Sequence, residues 1–430
     1  MVSDKESKLG FLKGNVLIIT IGNCLEQFSR MAAFPYLSLY ILALGGSPQS
    51  IGLINSLRPL SSLFTYPLAG YFSDQMGRVK LIVFWTYVCA LLYLFYPLAN
   101  DWTVVAIGTF ILGFITFQIT AKSAIMADSL DPKHRGVGFA VSTTLPEAVS
   151  VFSPYFAGYI IDQMGAKTAV RYMYTLHVIM LIISSTIDWK FLKDTITQKD
   201  TKVDLSNLGR LLKESYISAI EVIRWAPTNL KAFALVIGIG LMTNAMAGPF
   251  WVVYATQQIG LSTTQWGTIF FVYVAVHMGS IVPAGIVIDR IGKRKTIIAS
   301  FALSLAPLLF FPQAKGFTEV LIIMIILSLS NAFLSPASSA LMADLSPREQ
   351  RGKVMGAFGR GTIQVDPRGA TGSGPQIGYA GCIPVMFGSI VGGYIYSGNP
   401  SYTFILQFIL TVVILAISFA FVHEPKKAEV

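Results

Sequence analysis

The chain has 430 residues, 53% of them hydrophobic and 13% charged, with a formal net charge of +10. That apolar fraction over this length excludes a soluble globular protein. The basic residues are scattered between apolar stretches and form no continuous patch, which excludes nucleic acid as the partner.

Twelve apolar runs follow one another, at roughly 14–43, 51–73, 81–99, 103–128, 137–161, 169–191, 229–259, 264–288, 296–312, 320–344, 376–397 and 402–422. Each is near the length of about 20 residues that crosses a bilayer. The first is too long for a signal peptide and lacks a small-residue cleavage site, so it is read as a membrane helix. It carries Glu26 and Arg30, whose i,i+4 spacing predicts a pair on one helix face. Arg58 falls in the second run, Lys122 in the fourth, and Glu147, after Pro146, in the fifth. Between the sixth and seventh runs, 192–228 is a long polar connection. From Leu205 its apolar residues recur at three- and four-residue steps, predicting an amphipathic helix on the membrane surface that ends at Pro227. The second half offers neutral polar groups within its runs: Asn244, His277 and Asn331. Cys24, Cys89 and Cys382 lie inside predicted helices and read as packed thiols.

Lys5, Lys8 and Lys13 precede the first run, Arg78 and Lys80 follow the second, basic residues fill 190–224, and Arg290 to Lys295 follow the eighth. The opposite loops hold little beyond Lys167, Arg171 and Lys315. This asymmetry predicts cytoplasmic termini. Trp102, Trp189 and Trp266 fall at predicted helix ends, where interfacial aromatics belong.

The chain repeats itself. Gly70-Tyr-Phe-Ser-Asp74-Gln-Met-Gly77-Arg78-Val-Lys80 returns as Gly285-Ile-Val-Ile-Asp289-Arg290-Ile-Gly292-Lys293-Arg294-Lys295, about half the chain later. Met126-Ala-Asp128 with Arg135 returns as Met342-Ala-Asp344 with Arg351, and the helix through Pro35 and Tyr40 matches that through Pro249 and Tyr254. Two six-helix halves in the same orientation follow: 1–191 and 229–430, joined by the linker 192–228. The second half carries an insertion near 359–375, rich in glycine and containing Asp366, Pro367 and Arg368. It predicts a cytoplasmic loop, or an irregular segment leading into a shortened eleventh helix.

The Gly-x-x-x-Asp-Arg-x-Gly-Lys/Arg-Arg/Lys loop, complete at Gly285–Lys295 and degenerate at the first copy, resembles the hallmark loop of the major facilitator superfamily. The resemblance covers the whole chain. It implies an all-α membrane protein with twelve transmembrane helices in two pseudo-symmetric halves, in the cell membrane with both termini cytoplasmic. It implies gating roles for Gly70, Asp74, Gly77, Arg78, Asp128, Arg135, Gly285, Asp289, Arg290, Gly292, Lys293, Asp344 and Arg351. Glycine permits close helix approach, the aspartate faces a helix N-terminus of the other half or a partner arginine, and the basic residues hold the loop at the cytoplasmic leaflet. Ser153-Pro154-Tyr-Phe-Ala157-Gly158 resembles a weakened form of the Gly-Pro-x-x-Gly-Gly element of drug/proton antiporters.

A charge at the bilayer centre costs about 2.5–3.5 kcal/mol, so the internal charges need a structural partner or a role. Glu26, Arg30, Arg58, Lys122, Glu147, Asn244 and His277 are the candidates for substrate binding and proton coupling; structural ion pairs, snorkelling and interhelical hydrogen bonds are the alternatives. Three cations against two anions in the first half would favour an anionic substrate. There is no metal-ligand cluster, nucleophile–base set or phosphate-binding loop, so no enzymatic activity and no cofactor is expected. The expected function is a monomeric secondary active transporter of a small organic solute, by proton-coupled efflux of drugs or metabolites. The alternative is proton-coupled uptake or facilitated transport of an organic anion or sugar. Protons and membrane lipid are the other expected partners.

Overall fold

The computed structural model describes residues 12–425 apart from 76, 116, 132–134, 196–207 and 368–376, and over 66–75, 117–120, 208 and 211 the helix path alone. In hydrocarbon every backbone polar group must be satisfied within its own segment, so the apolar runs become helices. The first span is α1 (Asn15–Ala33), a 3₁₀ turn at Phe34–Tyr36, and α2 (Leu37–Ala43). The second is α3 (Pro48–Gln75) and the third α4 (Arg78–Tyr93). The fourth comprises α5 (Trp102–Gly113) and α6 (Phe117–Ser129), the fifth α7 (Arg135–Ser150) and α8 (Ser153–Met164), and the sixth α9 (Ala166–Phe191). The linker forms α10 (Leu208–Trp225). The seventh span is α11 (Thr228–Ala247), a 3₁₀ turn at Gly248–Phe250, and α12 (Trp251–Gln257). Then come α13 (Thr263–Ile291), α14 (Lys293–Phe310) and α15 (Phe317–Leu345). The eleventh span is α16 (Arg351–Phe358) with α17 (Gly378–Gly398), and α18 (Pro400–Phe421) is the twelfth.

The interruptions obey the internal repeat. Pro35 and Pro249 lack the N–H that a continuous helix would use, and each sits in the 3₁₀ turn that breaks its span. The fifth span breaks at Ser153-Pro154 in the same way. Between the halves, α3 packs along α17 and α8 along α13. Trp266, expected at a membrane interface, is instead 1% exposed, because the start of α13 is tucked against the first half. Trp189 is exposed as expected. Cys89 and Cys382 are buried and Cys24 partly so, all as free thiols.

In α10, Ala219 and Val222 turn into the protein, and Tyr216 donates to the Leu63 carbonyl at 2.6 Å. Ile217, Ile220 and Ile223 remain exposed. The face of the molecule bearing α10 is called the linker side below, and the opposite face the outer side.

Of the two forms expected for the insertion, residues 361–366 take the second: they run between α11 and α15 in non-helical conformation ahead of α17. Side chains bind their backbone: Ser338 accepts from the Ile363 N–H at 3.2 Å, and Asn331 accepts from the Val365 N–H at 2.8 Å. Asn331 also donates to the Val365 carbonyl at 2.6 Å, and Asn244 accepts from the Asp366 N–H at 2.8 Å. Polar side chains of neighbouring helices thus replace the lost helical bonds, which is the condition for irregular backbone at membrane depth. The remainder of the insertion, 368–375, lies outside the described residues.

Candidate functional site

The fifth and eighth spans form a zipper that closes the outer side. Asp162, at the end of α8, accepts from the Thr263 and Thr264 N–H groups at 2.9 and 2.8 Å, capping the first turn of α13 across the two halves. The Thr263 hydroxyl also donates to Asp162, at 2.6 Å. One step deeper, Tyr36 of the first span donates to the Pro154 carbonyl at 2.6 Å. Deeper again, the rings of Phe152 and Phe271 stack with centroids 4.8 Å apart.

Directly beneath this seal is a narrow crevice of about 10 Å³, room for about one water, lined by Gln27 and Met31 of α1, Glu147 and Ser150 of α7, and Tyr273, Val274 and His277 of α13. The structure therefore brings Glu147 and His277, candidates from opposite halves, to one cavity. Arg30 reaches it through Gln27, whose Oε1 accepts from the Arg30 Nε at 3.1 Å. Toward the linker side the zipper ends: Val137 and Val149 of α7 and Val282 and Ile286 of α13 are all exposed.

Glu26 does not pair with Arg30. Its Oε1 lies 2.7 Å from Lys122 Nζ and accepts from the Ser184 hydroxyl at 2.8 Å. Lys122 also faces Asp188, at 3.6 Å, and Asp188 is fully buried. An ammonium shared by two carboxylates lowers the desolvation cost of all three groups, which the i,i+4 arrangement on one helix face could not do. Asp188, Ser184 and His177, all on α9, escaped the sequence reading. Asp188 stands beside Trp189 and Lys190 near a span end and reads as interfacial. His177 Nδ1 pairs with the Ser29 hydroxyl at 2.9 Å and its ring packs edge-on to Tyr93. With Asp188 added to Glu26 and Glu147, the internal anions of the first half match its internal cations Arg30, Arg58 and Lys122, so the charge surplus behind the anionic-substrate expectation disappears.

Two further candidates lie away from this pocket or are held by protein. Asn244 engages the backbone of the interrupted eleventh span and does not line the pocket. Arg58 is half-buried with its Nε enclosed by protein, not snorkelled to the outer interface.

On the linker side the two loop motifs form matching knots. Arg78 contacts Asp128 at 2.5 Å, and Asp194, after the sixth span, accepts from the Val79 N–H at 3.3 Å. In the second half Lys293 pairs with Asp344, and Glu424, after the twelfth span, accepts from the Lys293 N–H at 3.2 Å. Each carboxylate thereby caps a helix start, α4 or α14. Gly292 turns with φ 95°, a conformation glycine adopts freely. Arg351 donates to the Ala343 carbonyl at 3.0 Å, while Asp289 and Arg290 are exposed. Gly77 precedes α4 beside the Asp194 carboxylate, and Gly285 lies within α13. Arg135 is exposed at the start of α7. These ion pairs join parts of one half, not the two halves. Gly70 and Asp74 lie in the last turns of α3, where the side chains fall outside the described residues.

The family model of the Major Facilitator Superfamily matches residues 19–239 and 233–364. The chain belongs to the major facilitator superfamily. Among superfamily relatives, an MFS-type transporter of Methanocaldococcus jannaschii is 21% identical over 94% of this chain and 93% of its own length. A multi-drug resistance efflux pump PmrA homolog of Lactococcus lactis is 22% identical over 78% of this chain and 82% of its own. The fold matches a bacterial homolog of the human lysosomal transporter Spinster, with a TM-score of 0.67 at 14% identity over 94% of this chain and 95% of that one. It also matches the Escherichia coli xylose transporter XylE, with a TM-score of 0.65 at 15% identity over 96% of each chain. The protein is thus a twelve-helix, multi-pass membrane transporter of a superfamily of non-enzymatic carriers.

Proposed function

We propose that the protein exports a small organic solute from the cell in exchange for protons, by alternating access to the pocket beneath the outer seal. The linker side, rich in basic residues, faces the cytoplasm in this reading, and the seal between α8 and α13 closes the opposite side. The observation that carries the reading is the buried cluster of Lys122 with Glu26 and Asp188, joining the first, fourth and sixth spans one helix away from that pocket. Carboxylates and an ammonium held within the membrane mark proton relays and ion pathways. Protonating one carboxylate leaves Lys122 to pair with the other, and that shift repacks three helices against one another. In the exchange, Glu147 and His277 contact the solute, the triad holds the coupling proton, and the paired loop knots brace each half as it rocks.

The multidrug-efflux relative supports export. The balance of the internal charges of the first half, Arg30, Arg58 and Lys122 against Glu26, Glu147 and Asp188, weakens the argument for uptake of an anion. The reading is tested by accumulation of a cationic fluorescent dye in pump-deficient cells expressing wild type or Glu26→Gln. Wild type lowers accumulation, a protonophore abolishes the effect, and the variant matches empty cells. Equal accumulation in wild-type and empty cells rejects export of such dyes.

A further inference from the structure

A second cavity, of about 520 Å³, lies between α11 and α17 toward the linker side. Its walls are apolar: Leu235, Gly238 and Met242 on α11 face Ile383, Pro384 and Phe387 on α17. Ile223 of the linker helix and Phe358 at the end of α16 close one end. Leu235, Ile383 and Phe387 are 54%, 66% and 60% exposed, so the groove opens sideways into the bilayer.

Its length and charge identify the occupant. The groove runs along α11 from Lys231 to Met242, a rise of about 16 Å. That is roughly half the 30 Å hydrocarbon core, the depth of one leaflet. At the linker-side end the lining includes Lys231, whose Nζ donates to the backbone carbonyl of Arg224 at 2.9 Å, and both residues are exposed. Mid-groove, Gly238 leaves a space that no side chain fills, since an added Cβ would meet only Pro384 Cγ, at 3.8 Å. We propose that this groove binds one acyl chain of an anionic phospholipid of the linker-side leaflet, with Lys231 and Arg224 holding the phosphate. Basic pockets between membrane helices at headgroup level recognise anionic lipids in this way. The bound lipid would fasten the linker helix to the interrupted eleventh span, since Ile223 and Phe358 both touch it.

The test is native mass spectrometry of the purified transporter titrated with phosphatidylglycerol and, separately, phosphatidylethanolamine. Wild type is expected to retain one phosphatidylglycerol in preference to phosphatidylethanolamine. Gly238→Phe fills the slot and should lose the retained lipid of either kind while remaining folded and monodisperse. Lys231→Gln with Arg224→Gln should keep the chain site but lower the phosphatidylglycerol preference by roughly fivefold per removed charge. If Gly238→Phe does not fold, the double glutamine variant decides alone. Undiminished retention in Gly238→Phe, or an unchanged headgroup preference in the glutamine variant, overturns the proposal. These outcomes do not depend on which solute is transported or in which direction.

Discussion

A Cβ placed on Gly158 of α8 would lie 2.1 Å from the backbone carbonyl oxygen of Thr263 on α13. The two helices, from opposite halves, touch through the one residue that lacks a side chain. Gly267 repeats the relationship from the other helix, where an added Cβ would lie 2.5 Å from the Pro154 carbonyl oxygen. The antiporter-like sequence around Ser153 and Pro154 thus supplies the surface on which the outer side closes.

Gly158→Ala should therefore prevent full closure. Overpacking of this kind costs one or two kcal/mol, roughly a five- to thirtyfold shift in population. The readout is labelling of Ser150→Cys, buried beneath the seal, by a membrane-impermeant thiol reagent from outside, in a background lacking Cys24, Cys89 and Cys382. Labelling should rise by about that factor in Gly158→Ala; an unchanged rate would show that the contact does not control access.

Asp162→Ala removes the cross-half acceptor of the Thr263 and Thr264 N–H groups while Ser262 still caps α13, and should act in the same direction, at about 0.5–1.5 kcal/mol. Asp162→Asn keeps one acceptor oxygen and should fall between wild type and Ala. The same labelling assay ranks the three, and a reversed order would contradict the capping account.

The triad makes an asymmetric prediction for stability. Lys122→Met leaves Glu26 and Asp188 buried without their shared cation and should destabilise by about 3–5 kcal/mol. Glu26→Gln should cost markedly less, because Lys122 keeps Asp188 and Ser184 can still donate to the new amide oxygen. Thermal unfolding of the two variants in one detergent settles the order; equal midpoints would mean that Lys122 is not the centre of the cluster.

The interrupted eleventh span yields a second comparison. Asn331 serves both the N–H and the carbonyl of Val365 and donates to the Tyr273 hydroxyl at 3.0 Å, whereas Asn244 serves a single N–H. Each buried group left unsatisfied costs about 1–3 kcal/mol. Asn331→Leu should lower the unfolding midpoint clearly more than Asn244→Leu, and the opposite order would argue against this route for residues 361–366.

The fold could be read from the sequence because lipid leaves the backbone few options: an apolar run must be a helix, and a repeated motif fixes the relation of the halves. Side-chain partners were legible only where the chain held both. The i,i+4 pair of Glu26 and Arg30 is a local pattern. The pairing that forms joins Glu26 to residues 96 and 158 positions away, through a packing of three helices that no local spacing reveals. Asn244 and Asn331 were visible as polar groups within helices. Their use as supports for a non-helical segment required knowing that the insertion turns inward. The outer seal rests on Asp162 and on glycines, which in sequence look like an ordinary helix end.

The most direct test of the coupling account is proton movement in liposomes containing the purified protein and an internal pH indicator, with ethidium added as the transported cation. The account predicts that ethidium drives a proton flux in the opposite direction, that Glu26→Gln abolishes it, and that the variant remains folded. A wild-type protein that moves ethidium without protons, or a Glu26→Gln variant with undiminished proton flux, would contradict it.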